Sequence, residues 1–381
     1  MITTLWAKNY RSLADVKMSL EPITVLVGHN GSGKSNIIDV VRFISDALQY
    51  GLDSAIINRH GMSTLRRWSS KGRPYDVEVG VQLKTASIQA TYSFTLGSER
   101  RGEYRVKEEV CQVKRHHHQE EGDAFETRNG TWVRRPKATT PVIPPRNLVL
   151  PLLASDPVYY ELYKELEHVS FYNIFPNALI DPQRPSNPYP LEEHGGNLAS
   201  ALRELQRAKS DHTENLREAI KEVIPGVIDF QVSQVGGYLV TKLRHDMNEP
   251  RRADFDLSQE SDGTLRMLGL LVALYQEPSR TLLGLEEPEL TIHPGALKAI
   301  WEEIEAVAER SQILVTTHSP DLLDLCKASQ IRVVEKIEGQ TLVDPIEIGQ
   351  KEAIQKRLFA PGELLRAHGL RRATQLEIPY E

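Results

Sequence analysis

The sequence predicts an α/β fold in which a mainly parallel, helix-flanked sheet is joined to an antiparallel β lobe, with a helical insertion between them. Three observations predict it. The apolar run Ile23–Val27 feeds directly into a glycine-rich turn and then into a segment of helical periodicity. Residues 76–133 alternate apolar and polar side chains in hairpin fashion. From about residue 281 onward, short apolar strands alternate with helices, the pattern of parallel pairing.

The elements follow in order. "MITTLWAKNY" and "LADVKMSL" read as a strand pair, "ITVLV" as a buried strand, and "IIDVVRFISDALQY" as a helix. "DVEVGVQLK", "SIQATYSFTL", "EYRVKEEVCQVKR" and "FETRNGTWV" read as antiparallel strands, the last folded at an Asn-Gly turn. The triple histidine at 116–118 reads as a solvated hairpin tip, since three neighbours on a strand cannot all face one metal. Proline is dense from Pro136 to Pro190, predicting loops and short helices such as "PVYYELYKELEHV". "NLASALRELQRAKSDHTENLREAIKEVI" is helical with a break near Ser210-Asp211, and "IDFQVSQVG" and "YLVTKLRHD" are strands. "DLSQESDGTLRMLGLLVALYQE" leads into a long apolar helix. Then come "TLLGLEE", "PGALKAIWEEIEAVAER", "QILVTT", "PDLLDLC" and "QIRVVEK". The expected organisation is a single head over 1–381, with a phosphate loop and antiparallel lobe at 1–135. A proline-rich and helical insertion follows at 136–250, and a second lobe at 251–381.

Composition narrows the function. The chain has 381 residues and a net charge of −6, so no overall attraction to nucleic acid exists, although a local basic patch is compatible with it. Only Cys111 and Cys326 are present, which excludes a disulfide framework and a cysteine-rich zinc site and makes the cytoplasm the expected location. No apolar run is long enough to cross a membrane.

The strongest motif is Gly28-His29-Asn30-Gly31-Ser32-Gly33-Lys34-Ser35, which fits G-x-x-x-x-G-K-[ST] at every fixed position and continues into Asn36. Its glycines let backbone N–H groups curl around one anion, and the helix that follows adds its positive end. Lys34 is the residue that reaches the β- and γ-phosphates of ATP, and the Ser35 hydroxyl is offered to Mg2+. "LLGLEEPELTIHP" then stops an apolar strand at two adjacent carboxylates, Glu286 and Glu287. As a pair at a helix start they would only answer a macrodipole. At the carboxyl end of a parallel strand beside Ile23–Val27 they meet the phosphates instead. Glu286 then stands in the metal position, where such motifs usually carry Asp, and Glu287 activates the attacking water. "QILVTTHSP" repeats the logic and puts His318 at a third strand tip. In "SDGTLR", either Ser261 or Asp262 caps a helix, and the functional reading of Ser261 and Gly263 is a second anion-binding helix start.

This order of motifs resembles the ATP-binding-cassette type of ATPase head, most closely the SMC, RecF and OLD group and, within it, the stand-alone bacterial predicted ATPases of the AAA family. "NYRSL…ITVLVGHNGSGKSNIIDVVRF" resembles the opening of that group, and the resemblance covers about 1–45 and 255–325. It implies Mg2+-dependent ATP hydrolysis in a homodimer. ATP would be sandwiched between two heads, with Ser261 and Gly263 of one chain meeting the γ-phosphate bound by the other. It also places Arg11 near the nucleotide, against the plainer reading of an exposed strand-end arginine. Gln82 and Gln183 are weak candidates for the glutamine loop and stay outside the expected site. Residues 46–260 have too many strands and prolines for long coiled-coil arms, and 320–381 carry no acidic cluster of Toprim nuclease type, so an ATPase without its own nuclease is expected. DNA and a separate nuclease or toxin effector are the candidate partners, in genome maintenance or phage defence. The other readings are an ATP-locked scaffold with incidental turnover and, more weakly, a transport ATPase subunit. Arg59, His60, Arg66, Arg67, Lys71 and Arg73, with Trp68 among them, read either as a solvated loop or as a DNA-facing patch.

Overall fold

The computed structural model of the chain describes residues 1–69, 74–98, 103–116, 122–137, 140–144, 146–208, 210–247 and 252–373. The backbone divides into two compact units. One comprises Met1–Val169, Ser329–Lys351 and Leu370–Glu381, the other Ser170–Ala328 and Glu352–Gly369.

The first unit carries a seven-stranded antiparallel sheet. Its strand order is Leu13–Ser19, Ile2–Tyr10, Val77–Lys84, Ile88–Ser98, Tyr104–Arg115, Asp123–Arg128 and Thr131–Arg134. The last hairpin turns at Asn129 (φ 48°) and Gly130 (φ 74°), the two left-handed positions that an Asn-Gly pair supplies at low cost. Alternate side chains Val77, Val79, Val81 and Leu83 are buried, as are Ile88, Ala90, Tyr92 and Phe94. The helix Lys34–Gln49 joins this core through Phe43, whose ring lies 5.6 Å from Tyr10 and 5.8 Å from Phe94. Aromatic pairs at these tilted separations add to the burial term.

In the same unit, all five residues of the strand Ile23–Val27 are buried, which is why it reads as an unbroken apolar run. It pairs in parallel with Ile331–Ile337, which pairs in turn antiparallel with Gln340–Pro345.

In the second unit, Leu282–Glu286 runs parallel to Gln312–Thr317, in register from Leu282–Gln312 to Glu286–Thr316. A Cβ on Gly284 would lie 2.2 Å from the Phe171 ring, so this strand position requires glycine. The helix Asp262–Tyr275 is buried on every side from Leu265 to Tyr275. The helical insertion breaks as expected: one helix ends at Ala208 and a second, Asp211–Val223, starts from Ser210 as N-cap.

Three strands, Val227–Val235, Tyr238–Asp246 and Arg252–Asp256, form an antiparallel sheet. The third is absent from the sequence reading, which assigns nothing to 252–255 and starts the lead-in to the helix at Asp256. "RADFD" is short and charged, and its strand state comes from backbone pairing with Tyr238–Asp246, aided by the Arg244–Asp254 ion pair at 2.8 Å. Both cysteines are buried free thiols. Among the described residues no helix is long and apolar enough to cross a membrane. His117 and His118 lie outside the described residues, and His116 is exposed.

Candidate functional site

The candidate residues fall into two groups, one in each unit. In the first unit the strand Ile23–Val27 releases the chain into the loop Gly28–Gly33. Gly31 (φ 75°) and Gly33 (φ 108°) adopt left-handed backbone. A Cβ on Gly28 would sit 2.1 Å from the Val334 carbonyl oxygen, and one on Gly33 2.1 Å from Thr341 Oγ1, so sterics and conformation both demand these glycines.

The loop rests on a chain of hydroxyls. Asn36 Nδ2 donates to Ser12 Oγ (2.7 Å), Ser12 Oγ contacts Thr341 Oγ1 (2.7 Å), and Thr341 Oγ1 donates to the Ser32 carbonyl (2.8 Å). Asn36 therefore engages its amide under the loop. Ser12 and Thr341 escape the sequence reading: Thr341 is distant in sequence and lies in no motif, so only tertiary pairing brings it here.

Lys34 is buried, and its ammonium donates to the carbonyls of Gly28 (2.7 Å) and His29 (3.2 Å). Asn30 and Ser35 are exposed. The helix Lys34–Gln49 starts at Gly33 with no side-chain cap, and the Ser32 hydroxyl is buried without a partner. A glycine cradle, an uncapped helix start, a lysine held over the loop and an orphan hydroxyl together fit a polyphosphate anion.

Arg11 has left-handed backbone (φ 48°), and its guanidinium sits 3.0 Å from Asp39 Oδ2, on the helix that follows the loop. It is therefore not a free strand-end arginine. Asp39 also accepts from Arg59 Nε (3.0 Å) and from Tyr10 Oη (2.6 Å). Arg59 is 5% exposed and bonds Asp46 as well, so it leaves the basic patch and becomes a core strut. Lys71 and Arg73 lie outside the described residues. His60 and Trp68 are exposed, Trp68 to 82%, and Arg66 and Arg67 are half-buried.

In the second unit Glu286 ends its strand and Glu287 follows in left-handed backbone (φ 44°), an uncommon state for a side chain of this kind and typical of functional sites. Tertiary bonds hold it there. Glu287 N donates to the Thr316 carbonyl (3.0 Å), and the Glu287 carbonyl accepts from Arg266 Nη2 (2.8 Å). Arg266 also donates to the carbonyls of Ile174 (2.8 Å) and Glu286 (3.4 Å). It is 4% exposed; burial lowers its pKa, and the carboxylates of Glu289 and Glu287 oppose that shift. The sequence reading missed Arg266. Its signal was available: a single cation inside the apolar run Leu265–Leu271.

The Glu287 side chain meets His318, with Nδ1 3.2 Å from Oε1. A carboxylate only accepts, so Nδ1 carries the proton. Glu289 is buried and accepts from Thr317 Oγ1 at 2.5 Å; burial raises its pKa and the Thr317 hydroxyl bond counters it. Glu289 thereby fixes the residue before His318. Ser261 caps its helix by accepting from Thr264 N (3.2 Å), deciding between the two cap candidates, and Asp262 is the first helical residue. A Cβ on Gly263 would approach the Thr291 carbonyl to 2.8 Å. His293 caps the helix Pro294–Val307 through Nδ1. Gln183 is buried and clips local backbone, accepting from Ala199 N at 2.7 Å, and Gln82 is an exposed strand residue. Among the described residues no three His, Cys, Asp or Glu side chains form a metal-binding group.

This fold is that of an ABC-type ATPase head of the SMC and OLD group. The family described as "AAA domain, putative AbiEii toxin, Type IV TA system" matches residues 23–324, and the chain belongs to that family. The Old nuclease of Escherichia phage P2 is 23% identical over 379 residues, 88% of this chain and 59% of that protein. The chain thus spans less than two thirds of this relative. A segment of 89 residues is 33% identical to ATP-binding cassette sub-family A member 17 of Rattus norvegicus, covering 23% of this chain and 5% of that protein. Among solved structures, an SMC head bound to the C-winged helix domain of ScpA matches with a TM-score of 0.59 at 15% identity, over 93% of this chain and 99% of that one. An SMC head with an extended coiled coil, bound to the C-terminal domain of ScpA derived from Pyrococcus furiosus, matches with 0.53 at 14%, over 94% and 99%.

Proposed function

We propose that this chain binds ATP with Mg2+ and hydrolyses it as a homodimeric switch acting on DNA or on a partner effector. The observation that carries the reading is the Glu287–His318 pair: a carboxylate on a strained backbone position, oriented by an imidazole at 3.2 Å. That is the arrangement of an oriented general base.

Each residue then has a task. The loop Gly28–Ser35 surrounds the phosphates with backbone N–H groups, and Lys34 exchanges the Gly28 and His29 carbonyls for phosphate oxygens. Ser35 and Glu286 are the oxygens this chain offers to Mg2+, whose charge offsets that of the phosphates. Glu287 accepts the proton of the attacking water, and His318 holds its carboxylate in place. Ser261 and Gly263 supply a helix start to the γ-phosphate held by the second copy.

What the switch controls follows from weaker support. The half-buried Arg66 and Arg67 beside exposed Trp68 suit sequence-independent phosphate contact. The family description and the phage Old nuclease support a defence role coupled to a separate nuclease or toxin. The test is steady-state hydrolysis by wild type and Lys34→Ala, with and without duplex DNA. Turnover is expected in the wild type, lost in Lys34→Ala, and modulated by DNA in a manner that Arg66→Glu with Arg67→Glu abolishes. Hydrolysis by Lys34→Ala at the wild-type rate overturns the assignment. ATP-driven association with turnover indifferent to DNA and partner supports the scaffold reading instead.

A further inference from the structure

Thr341 stands in no motif, yet it meets the phosphate loop at both Ser32 and Gly33. It belongs to the hairpin of Ile331–Ile337 and Gln340–Pro345, which turns at Glu338 (φ 50°) and Gly339 (φ 77°). Two left-handed residues make the tight turn that pins strand register. The hairpin lies beside Ile23–Val27, the strand that releases the loop. Its Val334 carbonyl occupies the space that a Cβ on Gly28 would need, and Thr341 does the same at Gly33, so the hairpin abuts both ends of the loop. Thr341 is 1% exposed, and its backbone N donates to the Ser12 carbonyl (2.9 Å).

The hydroxyl chain from Asn36 to Ser32 runs in one direction only. A carbonyl only accepts, and an amide nitrogen only donates. Thr341 Oγ1 gives its one proton to the Ser32 carbonyl (2.8 Å), so the Ser12 hydroxyl donates to Thr341 (2.7 Å) and accepts from Asn36 Nδ2 (2.7 Å). The chain thus brackets Gly33, Lys34 and Ser35, tying the residue before them to the residue after them. The peptide between Ser32 and Gly33 is trans, with its carbonyl and its N–H on opposite sides. Fastening the carbonyl to Thr341 turns the Gly33 N–H away from the hairpin.

We propose that Thr341, with Ser12, is a positioning residue of the nucleotide site. It presets the Gly33 N–H and the helix start for a phosphate oxygen, so that binding does not have to order the loop. The inference rests on the ATP reading above and adds to it a residue outside the motifs. Without the Thr341 hydroxyl, the buried Ser32 carbonyl loses its donor and the peptide is free to turn.

The test is calorimetric titration of MgADP into the full chain, which reads binding without turnover. Thr341→Val keeps the side-chain shape and removes the hydroxyl. Its Kd is expected to be about tenfold weaker, the equivalent of one lost hydrogen bond. Thr341→Ser returns the hydroxyl and is expected within about twofold of wild type. Ser12→Ala removes the middle of the chain and is expected to be about threefold weaker, and adding it to Thr341→Val should weaken binding little further. With MgATP in steady state, KM should rise in Thr341→Val by more than kcat falls. Wild-type Kd in both Thr341→Val and Ser12→Ala, even with lowered unfolding midpoints, makes the chain a structural strut only and overturns the inference. So does a Thr341→Ser protein as weak as Thr341→Val. If Thr341→Val does not fold, Ser12→Ala decides by the same criterion. A wild type that binds neither MgADP nor MgATP fails the ATP reading itself, a different result from a wild type that binds no more tightly than its variants.

Discussion

The Arg266 guanidinium donates to the carbonyl oxygen of Glu287 at 2.8 Å, from a position 4% exposed. Glu287 sits at φ 44°, where an ordinary side chain is strained by about 1–2 kcal/mol. A charge-assisted bond to a buried carbonyl is worth about 1.5–3 kcal/mol, so this contact alone can hold the strained state.

Arg266→Lys therefore separates position from charge. A lysine ammonium cannot span the carbonyls of both Ile174 and Glu287. The expected result is a loss of about 2–3 kcal/mol in urea unfolding, together with a fall in kcat for ATP that exceeds any change in KM. Wild-type kcat in a verified, folded Arg266→Lys protein removes the clamp from the mechanism.

Glu287→Gln keeps the bond to His318 within reach but cannot take a proton from water. Hydrolysis should fall about 10²–10⁴-fold, while ATP binding persists and the ATP-bound dimer accumulates on a sizing column. The comparison is Glu286→Gln. If that variant traps ATP and Glu287→Gln turns over almost normally, the two carboxylates have exchanged roles.

Mixing chains tests whether Ser261 acts across the dimer. Ser261→Arg and Lys34→Ala are each expected to be inactive alone. In a heterodimer, one composite site keeps both an intact loop and an intact Ser261, so up to half of the wild-type activity should return. No recovery in an isolated heterodimer argues for a site completed within one chain.

Glu109 gives a pH signature far from this chemistry. Its carboxylate is fully buried in the antiparallel lobe and accepts from Val149 N (2.6 Å), Leu150 N (3.0 Å) and Tyr92 Oη (2.9 Å). Burial pushes its pKa from 4.5 up to about 7, more than these three donors pull it down. A carboxyl whose pKa is raised by folding holds its proton in the folded state while the unfolded chain has released it. Stability contributed by this group is thus full below pH 4.5, declines as pH rises toward 7, and is lost by about 3 kcal/mol above that. Glu109→Gln cannot titrate. Gln supplies one acceptor for the three donors and is less stable than wild type at pH 5. Between pH 5 and pH 8 the gap should narrow by about 2.5 kcal/mol. Chemical unfolding at the two pH values reads it, and a gap independent of pH contradicts the assignment.

The sequence by itself determined the elements that short-range physics controls. Gly28–Ser35 between an apolar strand and a periodic helix, the Asn129-Gly130 turn and the break at Ser210 all follow from local conformational preference, which a few neighbouring residues fix. The strand ends at Glu286 and Thr317 were legible for the same reason: an apolar run meets charged or polar residues. Only the tertiary structure decided the supports. Thr341 under Ser32, Arg266 on the Glu287 carbonyl, Glu289 on Thr317, and Asp39 gathering Arg11 and Arg59 join residues whose separation along the chain carries no periodic signal. The strand Arg252–Asp256 belongs with them. Apart from Phe255 its side chains are poor strand formers, and its state is set by backbone hydrogen bonds to a neighbour that the sequence does not name. Hydrogen bonding and charge pairing depend on distances in space, and a linear pattern encodes those only where the partners are also neighbours in the chain.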